Sequence, residues 1–268
     1  MSLPPSPSRD IGLPVAVRSG GHSVASISVV VDALVIDLAA MRRIVIDPAS
    51  RTARVRAGAT SAELASAAQE HGLALSTGDT PTVGMGGLTT GGGIGFMVRR
   101  YGLAIDNLLS ARIVTASGEI VTASPTSHPD LFWAIRGGGG NVGIVTEFEF
   151  RMAPVGTGLG DTLMLPATRE VVRGYLDFSV SAPDDLTTIG NMMPAPPAPF
   201  VPDGMVSKPM LMILLVGTGD VGAGQKALAP LRALAEPTAD LTGPMPYPSI
   251  CATTRRQGRM SGARARCE

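Results

Sequence analysis

Gly84 to Gly95 reads GMGGLTTGGGIG, seven glycines in twelve residues. Each glycine inside an ordinary helix or strand costs roughly 0.5–1 kcal/mol relative to alanine, because a freer backbone loses more entropy on ordering. Such a run is kept where the main chain must come close to something. Either its amides converge on an anionic group or its backbone lies against a flat ring, or the segment simply turns tightly as a loop. It is not a P-loop, since no Gly-Lys-Ser/Thr follows. Nor is Gly91-Gly92-Gly93-Ile94-Gly95 a dinucleotide fingerprint, for it lacks a clear preceding strand and an acidic residue about twenty positions on. Spacing alone therefore stops at a ligand-approaching or tightly turned loop.

Upstream of the glycines, Leu13 to Arg18 (LPVAVR) is an apolar run ending at Gly20-Gly21, a buried strand feeding a tight turn, and Val29 to Leu38 is a second β-rich run. Arg43 to Asp47 and Thr52 to Arg56 flank Pro48-Ala49-Ser50-Arg51 and predict a hairpin with one wet face. Thr60-Ser61-Ala62-Glu63 is a capping box, so a helix is expected over 61–71 with Gly72 as its left-handed cap. Downstream, Leu108 to Ala116 and Ile120 to Thr122 form another hairpin pattern. Pro129 to Ile135 predicts a short helix, and Gly143 to Arg151 (GIVTEFEFR) alternates like a half-exposed strand. Past Pro154 the texture changes. Ala167 to Val180 and Ala223 to Ala235 carry helical patterns, Lys208 to Val216 reads as a buried strand, and Pro194 to Pro202 (PAPPAPFVP) is too proline-dense for helix or inner strand.

Composition narrows the partners. With 44% hydrophobic and 16% charged residues the chain has the balance of a globular protein, and 22 basic against 22 acidic residues leave no surplus charge to neutralise nucleic acid. Its longest apolar runs, such as Met210 to Val216, fall short of the roughly 20 residues that span a bilayer, so no membrane partner is expected. The first ten residues, MSLPPSPSRD, lack the basic start and apolar core of a secretory signal, and a cytoplasmic enzyme is the expectation. Cys251 and Cys267 lie in an Arg-rich stretch and make no disulfide framework. His22, His71 and His128 have no metal-ligand spacing, and His71 and His128 read as surface residues.

Arg18-Ser19-Gly20-Gly21-His22-Ser23 (RSGGHS) resembles the covalent attachment loop of FAD-linked oxidases of the p-cresol methylhydroxylase or vanillyl-alcohol oxidase superfamily, in particular the berberine bridge enzyme-like group. Gly78 to Gly87 (GDTPTVGMGG), Gly91 to Gly95, Tyr101 to Asn107 (YGLAIDN), Leu131 to Gly140 (LFWAIRGGGG) and Asn141 to Glu147 (NVGIVTE) follow in that family's order and spacing, so the likeness is strong over residues 12–152 and weak beyond. It implies an α+β fold: a two-subdomain FAD-binding domain over 1–153 lacking the family's first strand and helix, a partial α+β substrate domain over 154–250, and a non-family tail over 251–268.

The same resemblance implies FAD joined through the His22 imidazole to the 8α-methyl carbon of the ring. The cofactor-binding positions carried over with it are Arg18, Ser19, Gly20, Gly21, Ser23, Gly78, Thr80, Thr82, Val83, Gly84, Gly87, Leu88, Gly91, Gly92, Gly93, Gly95, Asp106, Asn107, Gly139, Gly140, Asn141, Gly143, Ile144 and Val145. Thr80 stands where many relatives have a second anchoring cysteine, so a single attachment is expected, and Leu88 stands where some plant relatives have histidine. The implied reaction is hydride transfer from a small alcohol, amine or sugar to the flavin, with dioxygen as acceptor. Donors from the Gly139–Val142 loop are expected at the N1 and C2 carbonyl edge of the ring. The family's Tyr or Glu base is not identifiable, and the tail TTRRQGRMSGARARCE fits a frameshift or a disordered end. The other reading is a truncated, catalytically silent flavin-binding remnant.

Overall fold

The computed structural model describes residues 12–249. They fall into two compact units: one runs to Gly95 and resumes over Tyr101–Pro154, and the other holds Phe96–Arg100 and the chain from Val155.

In the first unit, β1 (Val15–Arg18) pairs in parallel with β2 (Leu34–Asp37). A five-stranded antiparallel sheet is built from β3 (Ile44–Asp47), β4 (Thr52–Arg56), β6 (Leu108–Val114), β7 (Ile120–Ala123) and β8 (Ile144–Arg151), in the order β3-β4-β8-β6-β7. The short strands β5 (Leu73–Ala74) and β9 (Ala153–Pro154) pair separately. Helices α1 (Ser61–Gln69), α2 (Met85–Thr90) and α4 (Pro129–Ile135) belong to this unit, and α3 (Val98–Tyr101) belongs to the second unit up to Arg100.

Alternation fixes the face of each strand. Ala53 and Val55 of β4 and Phe148 and Phe150 of β8 point into the core, the two rings stacked with centroids 5.6 Å apart. On the outer face Arg54 and Arg56 sit opposite Glu149 and Glu147, with contacts of 3.6 and 2.9 Å. Strict alternation over Gly143–Arg151 would turn Val145 outward with Glu147 and Glu149. Register shifts between β6 and β8 leave Leu109 and Thr146 without opposite partners, and the phase slips by one residue at each. Leu108 and Ala111, and Val145 and Phe148, are thereby buried together although three residues apart.

The capping box forms as expected: the Thr60 amide donates to Glu63 Oε2 at 2.8 Å and the Thr60 hydroxyl accepts from the Glu63 amide at 3.4 Å. Helix α1 ends at Gln69, two residues earlier than expected, with Gly72 at φ +63°. The run Val29–Leu38 is extended only over β2. Val29, Val30 and Val31 lie exposed in turns between Ser26 and Asp32, both left-handed, because β-branched residues form strand only where a neighbour completes the ladder.

The second unit is an antiparallel sheet ordered β11-β12-β10-β13, from β10 (Thr157–Pro166), β11 (Leu186–Pro194), β12 (Pro209–Gly217) and β13 (Ala239–Asp240); β14 (Gly243–Pro246) also pairs with β10. From Met210 on, every residue of β12 is buried, as its unbroken apolar run requires of a central strand. Leu211, Ile213 and Leu215 pack with α5 (Arg169–Ser181), α6 (Val221–Ala227) and α7 (Ala229–Arg232), while Met210 and Met212 meet Ala195, Ala198 and Val201 of the proline-rich stretch. The helix expected over 223–235 is divided in two at Leu228, with Pro230 in the first turn of the second piece. Arg99 explains why Phe96–Arg100 belongs here: its guanidinium donates to the carbonyls of Ser179 at 2.7 Å and Ala182 at 2.5 Å, at the C-terminal end of α5.

Candidate flavin site

In the first unit a cleft of about 600 Å3 is bounded by four stretches of chain: β1, the loop after it, the segment from Val83 to Gly91, and the segment from Gly139 to Val145. That volume lies within the roughly 300–1,000 Å3 typical of small-molecule sites.

Glycines bring these stretches together. A Cβ on Gly20 would strike the amide nitrogen of Gly84, and one on Gly84 would strike Ser19 Oγ and the Gly20 nitrogen, so the two loops lie back to back with no room for a side chain. Ser19 Oγ donates to the Ala57 carbonyl at 2.6 Å, and the amides of Met85 and Gly86 donate to the carbonyls of Ala59 and Ala57 at 2.8 and 2.9 Å. The attachment-type loop and the glycine-rich segment are thus both tied to the end of β4. The glycine-rich segment contains the short helix α2, with Met85 and Thr89 facing the core. At its end the Thr90 carbonyl accepts from the amides of Gly137 and Gly139 at 3.1 and 3.2 Å, which holds the second glycine run to the first.

Other glycines leave space instead of closing it. A Cβ on Gly87 or Gly139 would meet nothing within 4 Å, and Gly140 only the Gly143 carbonyl at 4.0 Å, so bare backbone faces the open cleft. A cradle of that kind fits a flat ring or a pyrophosphate approaching the main chain.

Of the residues carried over by resemblance, Ser19, Gly20, Gly21, His22, Ser23, Val83, Gly84, Gly87, Leu88, Gly91, Gly139, Gly140, Asn141, Gly143, Ile144 and Val145 line this one cleft. Arg18, Gly78, Thr80, Thr82, Gly92, Gly93, Gly95, Asp106 and Asn107 do not. Arg18 reaches Asp37 at 3.5 Å. Thr80 donates to Asp79 at 3.1 Å. Thr82, itself exposed, has its Oγ1 2.9 Å from His22 Nε2 and so touches a residue of the wall. Gly93 and Gly95 pack against Ala104 and Gly78, where a Cβ would lie 2.5 and 2.6 Å from the nearest atoms. Asp106 accepts from the Leu103 amide at 2.9 Å and meets Arg136 at 3.5 Å, and the Asn107 amide group donates to the Tyr101 and Leu103 carbonyls at 2.8 and 3.0 Å. These last two side chains fasten their own turn.

Sequence reasoning missed Val15, Ala16, Val17, Leu38, Ile27, Ser28, Gly86 and Thr90, all on the cleft wall. The strand residues had a signal, since LPVAVR leads directly into the attachment-type loop. Thr90 had none: its carbonyl does the holding, and a carbonyl is common to every residue. Among the described residues no three His, Cys, Asp or Glu side chains are grouped to hold a metal ion, and no helix is long and apolar enough to cross a membrane.

An α+β unit with a glycine-walled cleft and a histidine on its wall fits a flavin-binding domain of the p-cresol methylhydroxylase type, the kind to which its structural neighbours belong. Residues 8–124 match the FAD binding domain family. The chain is 32% identical over 257 residues to (R)-6-hydroxynicotine oxidase of Paenarthrobacter nicotinovorans, covering 93% of itself and 54% of that protein. It is 43% identical over 145 residues to xylooligosaccharide oxidase of Thermothelomyces thermophilus, 53% of this chain and 29% of that one. Among solved structures, 6-hydroxy-D-nicotine oxidase of Arthrobacter nicotinovorans superposes with a TM-score of 0.84 at 31% identity, over 93% of this chain and 54% of its own. A single-substitution variant of berberine bridge enzyme does so with 0.79 at 28%, over 92% and 49%. The chain is similar to FAD-linked oxidases of the berberine bridge enzyme-like kind, and it spans about half the length of the relatives it matches along most of its own length.

Proposed function

We propose that this chain is the flavin-holding portion of an FAD-linked oxidase in which His22 carries the cofactor covalently and alone. The observation that carries this reading is the meeting of three separate sequence stretches, 19–23, 83–91 and 139–145, on one cleft with His22 on its wall. In it, Gly87 and the Gly139–Asn141 run present backbone to the pyrophosphate and ring, and Ile144 and Val145 supply an apolar wall. When bound, the flavin supplies a two-electron oxidation, accepting hydride from a small alcohol, amine or sugar and passing the electrons to dioxygen. The chain's own part is to orient the group and exclude water, and to donate hydrogen bonds from the Gly140–Val142 backbone, next to the Gly139 amide that is held by Thr90, where negative charge gathers. Thr80 at the second anchor position has no thiol, which supports a single tether.

A second reading, flavin binding without turnover, is favoured by one feature: the described cleft wall contains no Asp, Glu, Tyr or Lys to act as the substrate's base. Loading the chain with FAD and mixing it anaerobically with alcohols, amines and oligosaccharides separates the two. Bleaching of the flavin absorbance, followed by peroxide when air is admitted, supports oxidation; bleaching by dithionite alone supports the second reading.

A further inference from the structure

Thr82 is not on the cleft wall, yet its hydroxyl is the one protein group within hydrogen-bond distance of the His22 ring among the described residues, Oγ1 to Nε2 at 2.9 Å. We infer that Thr82 is the positioning residue for His22, holding Nε2 so that Nδ1 is the nitrogen presented to the flavin. The inference rests on the proposed covalent role of His22.

The Thr82 side chain is exposed, but the backbone on either side of it is held. Pro81, beside it, is buried; the Pro81 and Val83 carbonyls accept from the Ala62 and Ser61 amides at the start of α1 at 3.1 and 2.9 Å; and the Val83 amide closes a turn onto the Thr80 carbonyl at 3.3 Å. A Cβ on Gly20 would lie 3.0 Å from the Thr82 carbonyl, so the two loops touch through backbone at this point. His22 is exposed in a glycine turn, and among the described residues the Thr82 hydroxyl makes the hydrogen bond to its ring.

A neutral imidazole has one N–H and one lone pair, and the hydrogen bond made by one nitrogen decides which. With the proton on Nε2 and the Thr82 oxygen accepting it, the lone pair lies on Nδ1. Bond formation would join Nδ1, through its lone pair, to the 8α carbon; that carbon would lose a proton and leave its C–H electron pair in the flavin ring, Nε2 would lose its own proton, and the two electrons would pass to dioxygen, which takes up two protons as hydrogen peroxide. Nε2 then has a lone pair, and the same hydroxyl turns to donate to it. A hydroxyl serves both states because it is donor and acceptor. Valine has the same shape and serves neither.

The test compares wild type, Thr82→Val, Thr82→Ser and His22→Ala, each incubated with FAD. Total flavin bound to native protein is read by absorbance, and acid-stable flavin is read over time after precipitation. The expected result is unchanged total binding in Thr82→Val and Thr82→Ser, attachment slowed about two- to tenfold in Thr82→Val, a near-normal rate in Thr82→Ser, and no acid-stable flavin in His22→Ala. Attachment at the wild-type rate in Thr82→Val overturns the inference while leaving the anchor in place. Acid-releasable flavin in the wild type overturns the anchor and this inference with it. Ring nitrogen shifts of His22 in flavin-free protein give a readout that does not depend on attachment: the proton is expected on Nε2 in the wild type and shared between the nitrogens in Thr82→Val, and a proton on Nδ1 in the wild type contradicts the inference.

Discussion

Replacing Gly20 with alanine adds one methyl group where the chain has no room for it. The added carbon falls on the Gly84 amide nitrogen, 2.9 Å from the Gly84 Cα and 3.0 Å from the Thr82 carbonyl, and every one of these atoms is backbone. No side-chain rotation relieves the contact, so one of two loops must shift by an appreciable fraction of an ångström, and overpacking of this kind costs about 1–3 kcal/mol. At 2 kcal/mol the thermal midpoint of a domain of 150–250 residues falls by roughly 4–8 °C. The shift also separates the two walls of the cleft, so flavin retention should fall along with stability. Gly87→Ala is the control: its Cβ meets nothing within 4 Å, it lies inside α2, and the helix gains up to about 1 kcal/mol. That carbon projects where the flavin is proposed to lie, so Gly87→Ala should weaken flavin binding without lowering the midpoint. Circular dichroism melts and flavin titration of both variants read these quantities. Gly20→Ala with wild-type stability and wild-type flavin retention would refute the close packing of the two loops.

Phe148→Ala removes a fully buried ring stacked on Phe150 and should cost about 3–5 kcal/mol in denaturant unfolding, whereas Arg54→Ala, on the exposed face of the same strand pair, should cost no more than about 1 kcal/mol. Asn107→Ala leaves the Tyr101 and Leu103 carbonyls without their side-chain donor; stability is expected to drop by about 1–3 kcal/mol while flavin affinity in native protein stays within about twofold. Partial burial raises the pKa of Glu63, but the Thr60 amide and hydroxyl and the charge of Arg42 outweigh it and hold the carboxyl below its usual range near 4.3. Because the folded value is the lower one, its contribution is complete above about pH 4.3 and is lost as pH falls through the folded value; Thr60→Ala should cost about 1 kcal/mol at neutral pH, and less in acid.

The elements legible in the sequence were those whose pattern is local. The Thr60–Glu63 capping box, the 43–56 hairpin and the Pro129 helix start each depend on residues within one turn of one another. What escaped depended on partners far away in the chain. Thr157–Pro166 and Leu186–Pro194 contain glycine and polar residues and become strands because both pair with the apolar Pro209–Gly217. Val29–Val31 has strong β preference and gains no neighbour. The phase slip at Thr146 is invisible in GIVTEFEFR and is set by register against β6. At the site, the glycine runs announced close backbone approach, but not which glycines pack against chain and which face open space. Gly84 and Gly87, three residues apart, do opposite things.

The central claim is that His22 tethers the flavin. Digestion of FAD-loaded wild-type protein followed by mass spectrometry should find the flavin on the peptide containing His22, with flavin absorbance staying in the acid pellet and leaving it in His22→Ala. Flavin released intact by acid from the wild type, or retained by His22→Ala, would contradict the account.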